Sequence, residues 1–400
     1  MFVTNFNDWE QRKVNSISGK TYGGGTPKTK TAEYWQGDFP WIQSSDLKID
    51  ELNKVNPQKF ITEEAIKNSA AKAIPGNSIA IVTRVGVGKL AYLKYPYSTS
   101  QDFLSLSVLT VDPLFGVYGL YKLIKKELNN IQGTSIKGMT KSDLLNKKLY
   151  IPFTLEEQKQ IGTFLKTLDN TIALHQEKLE KLKQLKKAYL QVMFPQKGEK
   201  TPQLRFANFS QDWEQGELKE LASFSKGLGY TKSDLVEKGT SIILYGRLYT
   251  KYQTVIEDVD TYVTIKEKSV LSKGGEVIVP SSGESSEDIA RASVVAKAGI
   301  LIGGDLNIIK TENSINPIFL ALNISHGKQQ QELRKRAQGK SVVHLHNSDL
   351  KKVNLIYPML EEQIQIGRFF NQLDDNIAFQ SDKVEKLKKL KEVYLSKMFT

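Results

Sequence analysis

Residues 156–194 read EEQKQIGTFLKTLDNTIALHQEKLEKLKQLKKAYLQVMF, and residues 361–399 read EEQIQIGRFFNQLDDNIAFQSDKVEKLKKLKEVYLSKMF. The two stretches align without a gap at an offset of 205 residues, and 22 of their 39 positions are identical. Self-similarity at a fixed offset indicates that one structural unit is used twice. Because each copy closes a half-chain, the sequence predicts a tandem repeat with pseudo-two-fold symmetry.

Both copies have the residue spacing of a long amphipathic helix. In the first copy, apolar residues recur at intervals of three, four or seven, and lysines and glutamates fill most of the opposite face. Thr154 and Glu157 form a predicted capping box at its start. Polar residues interrupt the apolar seam at the same two points of both copies, as His175 and Lys186 and then as Gln380 and Lys391. Such residues specify the register of a helix pair.

The best partner for each helix is the other copy, packed antiparallel in a coiled coil so that the half-chains project in opposite directions. The residues expected to pack in this seam are Ile172, Leu179, Leu182, Tyr189, Ile377, Val384, Leu387 and Tyr394. A helix of about 38 residues is about 57 Å long at ~1.5 Å per residue. That exceeds one turn of DNA, which is about 34–36 Å, and the helices are predicted to act as a molecular ruler.

The rest of each half has the pattern of a mixed α/β (α+β) domain. Residues 78–83, 102–109 and 276–280 are predicted strands, because they are β-branched runs or alternate as a half-buried strand does. Weak echoes of the repeat continue through both domains at offsets of 203 to 206. The sequence therefore predicts two domains of one fold whose surfaces differ. The expected boundaries are 1–152, 153–195 for the first helix, 196–207 for a linker, 208–355, and 356–400 for the second helix.

The composition is that of a soluble globular protein with a basic surface. The 400 residues carry a formal net charge of +12 and contain no cysteine. The lack of cysteine excludes disulfides and thiolate metal sites and, with no signal-peptide pattern in residues 1–8, predicts a cytoplasmic location. No apolar run reaches the ~18–20 residues of a membrane span. The positive charge favours a polyanionic partner.

Each apparent catalytic motif in the sequence lacks residues that its chemistry requires. Asn316-Pro317-Ile318-Phe319 is similar to an adenine-binding motif of amino-methyltransferases, but its third residue differs and a helix start with proline near its first position explains it. The glycine-rich residues 83–90 fail the P-loop pattern and form either an ordinary turn or a close approach to phosphate. His344 and His346 lack the further ligands of a metal site. We expect a non-catalytic chain that binds no metal.

The order of several short motifs resembles the specificity subunit of type I restriction–modification systems over essentially the full length. In the first half these motifs are Gly24-Gly25-Thr26-Pro27-Lys28, Glu33-Tyr34-Trp35, Gly37-Asp38-Phe39-Pro40-Trp41-Ile42, Gln132-Gly133-Thr134-Ser135, Ser142-Asp143-Leu144 and Glu156-Glu157-Gln158. In the second half they are Ile243-Leu244-Tyr245-Gly246, Pro280-Ser281-Ser282-Gly283-Glu284, Gly303-Gly304-Asp305-Leu306 and Gln338-Gly339.

The resemblance implies that two target-recognition domains each bind one half of a split, asymmetric sequence of double-stranded DNA. The central region with the helices then spaces the half-sites. It also implies two modification subunits, which methylate adenine with S-adenosylmethionine, and two restriction subunits, which use ATP and Mg. No cofactor is expected on this chain. The alternatives are a non-catalytic coiled-coil scaffold without sequence-specific DNA binding, and a self-contained DNA-modifying enzyme.

Analogy and side-chain chemistry together suggest which residues contact DNA, because lysine and arginine bind phosphate and a few side chains reach base edges. The first domain supplies Lys28, Lys30, Gln43, Ser44, Arg84, Lys89, Gln132, Thr134 and Lys137. The second supplies Tyr245, Arg247, Lys251, Ser282, Arg291, Gln338 and Lys340. Arg247 is the favoured base reader, since arginine–guanine pairing is the commonest specific contact. Residues 334–336 are expected to form a helix end facing phosphate.

Overall fold

The computed structural model describes residues 9–130, 139–196, 198–337 and 343–399. The chain divides into two compact units, Met1–Gln176 with Asp382–Thr400 and Glu177–Ser381. This division differs from the predicted domain boundaries because both long helices are shared. Each unit contains the first part of one helix packed against the last part of the other. The chain therefore passes between the units twice, and each time within a helix.

The first unit consists mostly of antiparallel sheets, and one helix packs against the largest of them in the core. Its strands are β1 (Trp9–Lys13), β2 (Ser18–Gly23), β3 (Phe39–Ile42), β4 (Lys59–Ile61), β5 (Ser78–Val82), β6 (Leu90–Leu93), β7 (Ser98–Thr99), β8 (Phe103–Leu109) and β9 (Lys148–Pro152). Its helices are α1 (Glu63–Asn68), α2 (Pro113–Asn130), α3 (Lys141–Asn146) and the first part of α4 (Leu155–Val192). The predicted strands at 78–83 and 102–109 are confirmed as β5 and β8.

Strand order in the first unit is β2-β8-β5-β6 in one sheet, β4-β3-β7 in another, and β1-β9 as a pair. All five residues of β5 are buried, as expected for a β-branched run at the centre of a sheet. Strand β3 pairs with β7 in parallel, whereas the other pairs of these sheets are antiparallel. Helix α2 covers the four-stranded sheet with Phe115, Tyr118 and Ile124 in the core.

The second unit repeats this arrangement with more short elements. Its strands are β10 (Glu214–Glu217), β11 (Ala222–Lys226), β12 (Leu235–Val236), β13 (Thr240–Ile243), β14 (Val255–Ile256), β15 (Tyr262–Val263), β16 (Leu271–Lys273), β17 (Glu276–Pro280), β18 (Ser282–Gly283), β19 (Ser293–Val295), β20 (Ala298–Ile302), β21 (Leu306–Thr311), β22 (Val343–His344) and β23 (Asn354–Tyr357). Its helices are α5 (Leu218–Leu221), α6 (Arg247–Thr250), α7 (Ser286–Ile289), α8 (Pro317–Ser325), α9 (Gly327–Arg336), α10 (Asn347–Leu350) and the first part of α11 (Leu360–Met398).

The strand orders of the two units correspond. The second unit has β11-β21-β17-β19-β14 where the first has β2-β8-β5-β6, and the pair β10-β23 matches β1-β9. Strand β13 pairs with β20 in parallel, as β3 does with β7. The predicted strand at 276–280 is confirmed as β17. The expectation of two domains with one mixed fold is confirmed.

The long helices are confirmed at 38 and 39 residues. In the first unit Phe164 of α4 meets Tyr394 of α11, with ring centroids 4.9 Å apart. In the second, Tyr189 of α4 meets Phe369 of α11 at 5.0 Å. These are the same two repeat positions with the helices exchanged, which is the result expected of antiparallel packing. Of the eight seam residues, Ile172, Leu179 and Val384 are buried, and Leu182, Tyr189, Ile377, Leu387 and Tyr394 are half-buried.

The end of each helix also completes a domain core. Leu395 and Met398 of α11 belong to the core of the first unit, and Phe399 lies 5.1 Å from Phe115, centroid to centroid. The repeat-equivalent Met193 and Phe194 pack in the second unit. The sequence Met-Phe that closes each copy of the repeat is therefore core.

A glutamine attaches the start of each long helix to its domain. In the first unit the Asp112 backbone N–H donates to Gln158 Oε1 at 2.9 Å, and Gln158 Nε2 donates to the Pro152 oxygen at 2.9 Å. In the second unit Asn316 N–H donates to Gln363 Oε1 at 2.9 Å, and Gln363 Nε2 donates to the Pro358 oxygen at 2.8 Å. These contacts explain the Gln of the repeated Glu-Glu-Gln.

Asp112 and Asn316 also cap the helices that directly follow them in the chain, α2 and α8. The Asp112 carboxylate accepts from the N–H groups of Leu114 and Phe115. The Asn316 side chain accepts likewise from Ile318 and Phe319, with Pro317 at the helix start. The interpretation of Asn316–Phe319 as a helix start is confirmed. At Gly162 a Cβ would lie 2.6 Å from Leu114 Cβ, so only glycine permits this close contact of α4 with α2.

The predicted capping box at the start of α4 is only half formed. Thr154 Oγ1 accepts from the Glu157 N–H at 3.2 Å, while the Glu157 carboxylate accepts from Trp9 Nε1 at 3.1 Å. The repeat-equivalent Glu362 is buried and accepts two hydrogen bonds from Arg205 at 3.0 and 2.7 Å. Glu157 thus holds the first strand of its domain and Glu362 holds the linker residue Arg205, which are tertiary roles that a local capping pattern does not reveal.

Replacing Gln158, which attaches the start of α4 to the first domain, should destabilise the chain. Gln158→Leu leaves the Asp112 N–H and the Pro152 oxygen buried without their partner, at about 1–3 kcal/mol for each group. We expect a lower midpoint in the denaturant unfolding of the first unit. Gln160→Leu is the matched control, since Gln160 is exposed and bonds only Glu156 of its own helix. Equal midpoints for the two variants would contradict the assignment.

Candidate nucleic-acid interface

Four predicted DNA-contact residues of the first unit come together at the tip of the β5–β6 hairpin. The turn connecting these strands contains Gly86 and Gly88 at φ of +90° and +104°, so residues 83–89 form a hairpin turn. From this turn, Lys89 Nζ donates to the backbone oxygen of Ser44 at 2.9 Å, while Arg84 is exposed. The Gln43 side chain and the Asp46 N–H form a capping box at the adjacent short helical turn.

This arrangement separates the four residues by role. Lys89 is engaged with the backbone of Ser44, and Gln43 with its own turn, so both hold the two loops in place. Arg84 extends to solvent from the same group. Among these four residues, Arg84 has the exposure that a phosphate contact requires.

Lys28 and Lys30 lie on the segment between β2 and β3, and both are exposed. The glycines that precede them pack against the protein's own backbone, since a Cβ at Gly24 would lie 1.8 Å from the Ser100 oxygen and one at Gly25 1.9 Å from the Ala70 oxygen. Trp41 Nε1 donates to the Gly25 oxygen at 3.0 Å. The glycine motif thus positions the two lysines by fixing the loop that carries them.

The predicted residues of the second unit surround helix α6. Arg247 begins this helix and Lys251 follows it. Tyr245 lies 5.7 Å from Tyr249, ring centroid to centroid, and Tyr249 Oη donates to the Ser282 oxygen at 2.7 Å. Burial raises the pKa of Tyr249, so it stays a neutral donor.

Arg291 completes this group. Its guanidinium forms an ion pair of 3.1 Å with Asp288, lies 5.9 Å from the ring centroid of Tyr252, and contacts the Leu248 oxygen of α6 at 3.5 Å. The structure therefore brings five predicted residues of this domain to one site.

The guanidinium of Arg247, however, is turned into its own domain. It donates to Asp260 Oδ1 at 2.8 Å, to Gln253 Oε1 at 3.0 Å and to the Asp258 oxygen at 2.9 Å, and the side chain is 13% exposed. Lys251 pairs with the same Asp260, and the two cations hold the pKa of that carboxyl below its usual range. Arg247 as the base reader stays a prediction, but its present partners favour a role in holding the loop 253–260.

Five predicted contacts lie outside the described residues: Gln132, Thr134, Lys137, Gln338 and Lys340. The run 334–336 forms the last turn of α9, as expected for a helix end, with Arg336 donating to the Lys352 oxygen at 3.4 Å. Of the lysines on the outer face of α4, Lys181 and Lys183 pair with glutamates of their own helix.

Within the described ranges, no group of three or more histidine, aspartate and glutamate side chains is placed to hold a metal ion. His346 serves in a capping box with Asp349. None of the helices in the described part of the chain is long and apolar enough to cross a membrane.

Sequence reasoning missed two functional candidates, Asp169 and Asp374. Each lies in the helix seam and contacts both the opposite helix and a domain. A signal was present, because the dipeptide Leu-Asp recurs at the repeat offset of 205 as residues 168–169 and 373–374. Nearby, burial and Lys186 lower the pKa of His326 to about 4, so this imidazole is neutral at pH 7.

The exposure of Arg84 generates a prediction about DNA binding. Arg84→Ala should weaken binding to target duplex and reduce the slope of log affinity against log salt by about 0.9, as expected for loss of one phosphate contact. Arg84→Lys keeps the charge and should keep the slope. If all three proteins had the same affinity and slope, Arg84 would not contact phosphate.

Comparison with known proteins places the chain in a family. A family model described as "Type I restriction modification DNA specificity domain" matches residues 7–184 and again 210–389. The type I restriction enzyme MjaIX specificity subunit of Methanocaldococcus jannaschii is 34% identical over 171 residues, which are 41% of this chain and 39% of that protein. A type I restriction enzyme specificity subunit of Escherichia coli is 32% identical over 167 residues, 38% of this chain and 40% of that protein. The alignments thus span about two fifths of these two relatives.

Relatives that align with nearly the whole chain share a lower sequence identity with it. The MjaVIII specificity subunit of M. jannaschii is 23% identical over 408 residues, covering 98% of this chain and 92% of that protein. A crystal structure of a type I restriction–modification S subunit from M. genitalium matches with a TM-score of 0.66 at 14% identity, over 100% of this chain and 98% of that one. A chain from a study of type I complex assembly matches at 0.53 and 17%, over 98% and 97%. The structural matches confirm the fold, and the two family matches, which together cover most of the sequence, show that this chain belongs to the type I restriction–modification DNA specificity family.

Proposed function

We propose that this chain is the DNA-recognition subunit of a type I restriction–modification complex and that each unit binds one half of a split, asymmetric target. The observation that carries the proposal is the double family match on two units of corresponding strand order. A protein that reads two half-sites needs two recognition surfaces on one frame.

Different side chains at corresponding places support two different half-sites. After β3 the first unit presents Gln43 and Ser44, whereas after the corresponding β13 the second presents Leu244 and Tyr245. The hydroxyl of Ser44 can hydrogen-bond a base edge, while the ring of Tyr245 offers apolar contact. The proposed target is therefore asymmetric.

The net charge of +12 supports a polyanionic ligand, because phosphate neutralisation supplies most of the sequence-independent affinity for DNA. In the proposed complex, two modification subunits supply S-adenosylmethionine and methylate adenine, and two restriction subunits use ATP and Mg. This chain contributes recognition without catalysis, in the cytoplasm. A non-catalytic coiled-coil scaffold without sequence-specific DNA binding is the alternative.

The first test is a methylation map of host DNA with and without this chain, with the modification subunit present throughout. We expect a chain-dependent methylated adenine motif split by a gap of fixed length. Exchanging residues 1–150 for those of another family member should change one half-site only, because each unit has its own core and its own surface. A change in both half-sites would contradict independent recognition, and an assembled complex without any chain-dependent motif would favour the scaffold.

A second prediction concerns the spacing of the half-sites. One heptad inserted into either helix is expected to lengthen the recognised gap. Inserting one into each helix, between residues 176 and 177 and between 381 and 382, preserves the pairing within both units and adds about 10 Å of helix, or about three base pairs at ~3.4 Å each. The same heptad inserted into residues 196–207 is the control and should leave the gap unchanged. An unaltered gap in the helix variants would exclude the ruler.

A further inference from the structure

Each unit contains an ion pair in the seam between the long helices, which is largely buried in the first unit and half-buried in the second. In the first unit Lys391 Nζ lies 2.5 Å from Asp169 Oδ1, and the side chains are 9% and 19% exposed. In the second unit Lys186 Nζ lies 2.5 Å from Asp374 Oδ1, with 16% and 27% exposed. Residues 169 and 374, and likewise 186 and 391, are repeat-equivalent. The same pair therefore forms twice, with the two helices exchanging roles.

The second oxygen of each aspartate binds the adjacent recognition domain. Tyr118 Oη donates to Asp169 Oδ2 at 2.6 Å, and Thr254 Oγ1 donates to Asp374 Oδ2 at 2.8 Å. Tyr118 is fully buried in α2 and itself accepts from Asn53 Nδ2 at 3.0 Å. Each carboxylate thus joins its own helix, the opposite helix and a domain. We call each such arrangement, Asp169 with Lys391 and Tyr118 or Asp374 with Lys186 and Thr254, a junction.

A shift of the helices by one turn or by one heptad places no acid directly opposite these lysines. If the helices slipped by one heptad, Lys391 would face Gly162 or Gln176 instead of Asp169, and Lys186 would face Gly367 or Ser381. A slip of one turn would place Lys391 near residues 165–166 or 172–173, which include no acid. A buried lysine without its carboxylate is strongly unfavourable. The observed register is therefore the one in which both lysines are neutralised.

Stability alone does not explain these pairs, because well-packed apolar residues in place of a buried ion pair are often as stabilising or more so. Their attested use is to specify the register of a helix pair. We propose that Asp169 and Asp374 are positioning residues, which fix the register of the long helices and the place along them at which each recognition domain is held. The consequence for the DNA gap rests on the proposed function.

The test in solution uses the natural lack of cysteine. Thr163 and Lys397 are exposed residues of the first unit on opposite helices. Thr163→Cys with Lys397→Cys accepts two spin labels, and pulsed electron paramagnetic resonance measures the distance between them. Against this background, Asp169→Leu, Lys391→Met and Tyr118→Phe together remove the ion pair and its hydrogen bond to the domain, and the half-buried Asn53 amide is replaced as well, by Asn53→Leu, because it donates to Tyr118. We expect one narrow distance distribution for the parent and a broadened or doubled one for the variant, with an unchanged or higher unfolding midpoint.

The control is an ion pair of the same composition on the surface of one helix. Asp382 and Lys386 of α11 are 2.7 Å apart and largely exposed, and Asp382→Leu with Lys386→Met should leave the distribution narrow. If the junction variant also kept the parent distribution, the positioning role would be excluded. If that variant does not fold, a charge exchange tests the proposal instead. Asp169→Lys alone should broaden the distance distribution, and adding Lys391→Asp should make it narrow again. A distribution that stays broad in the double variant would overturn the proposal.

A second readout connects the junction to recognition. With the apolar replacements in both units, including Asp374→Leu, Lys186→Met and Thr254→Val, the methylation map should show additional gap lengths beside the parental one. A single unchanged gap would contradict the consequence for DNA. If the parent itself gave no split motif, the proposed function would fail while the distance measurement still tested the register.

Discussion

The antiparallel pairing of two repeat-related helices is the constraint on which the rest of the structure depends. Each helix is too polar to be buried alone, and its narrow apolar seam needs a partner with the same spacing. The other copy provides that partner. Once the pair forms, the start of each helix lies at one domain through its glutamine, and its end lies in the core of the other through Met193-Phe194 or Met398-Phe399.

The two units keep this frame while they differ at the surface. The contacts that are repeated are those that hold a helix to a domain, such as Gln158 with Asp112 and Gln363 with Asn316. The residues that directly follow the corresponding strands β3 and β13, such as Ser44 and Tyr245, differ between the two units and lie outside these helix–domain contacts. This separation lets the recognition surface change without changing the frame.

The helices and the principal strands were predictable because their signals are local: periods of 3.6 and 2 residues, and a repeat at fixed offset. The helix start at Asn316 was predictable for the same reason. The partners of Asp169 and Arg247 were not, since they lie 222 and 13 residues away and depend on which side chains the tertiary fold brings together. The exposed Arg84 and the engaged Lys89 occupy one turn, and only the packing of that turn against Ser44 distinguishes them.

The location of Leu395, Met398 and Phe399 in the core of the first unit has a consequence for the order of folding during synthesis. A ribosome makes the strands of this unit early, yet the residues that complete its core emerge after almost the whole second unit. Until then the apolar surface around Phe115 and Trp9 is uncovered. The nascent chain is therefore expected to need protection from association with other chains at that surface, and the first domain made is the last to be completed.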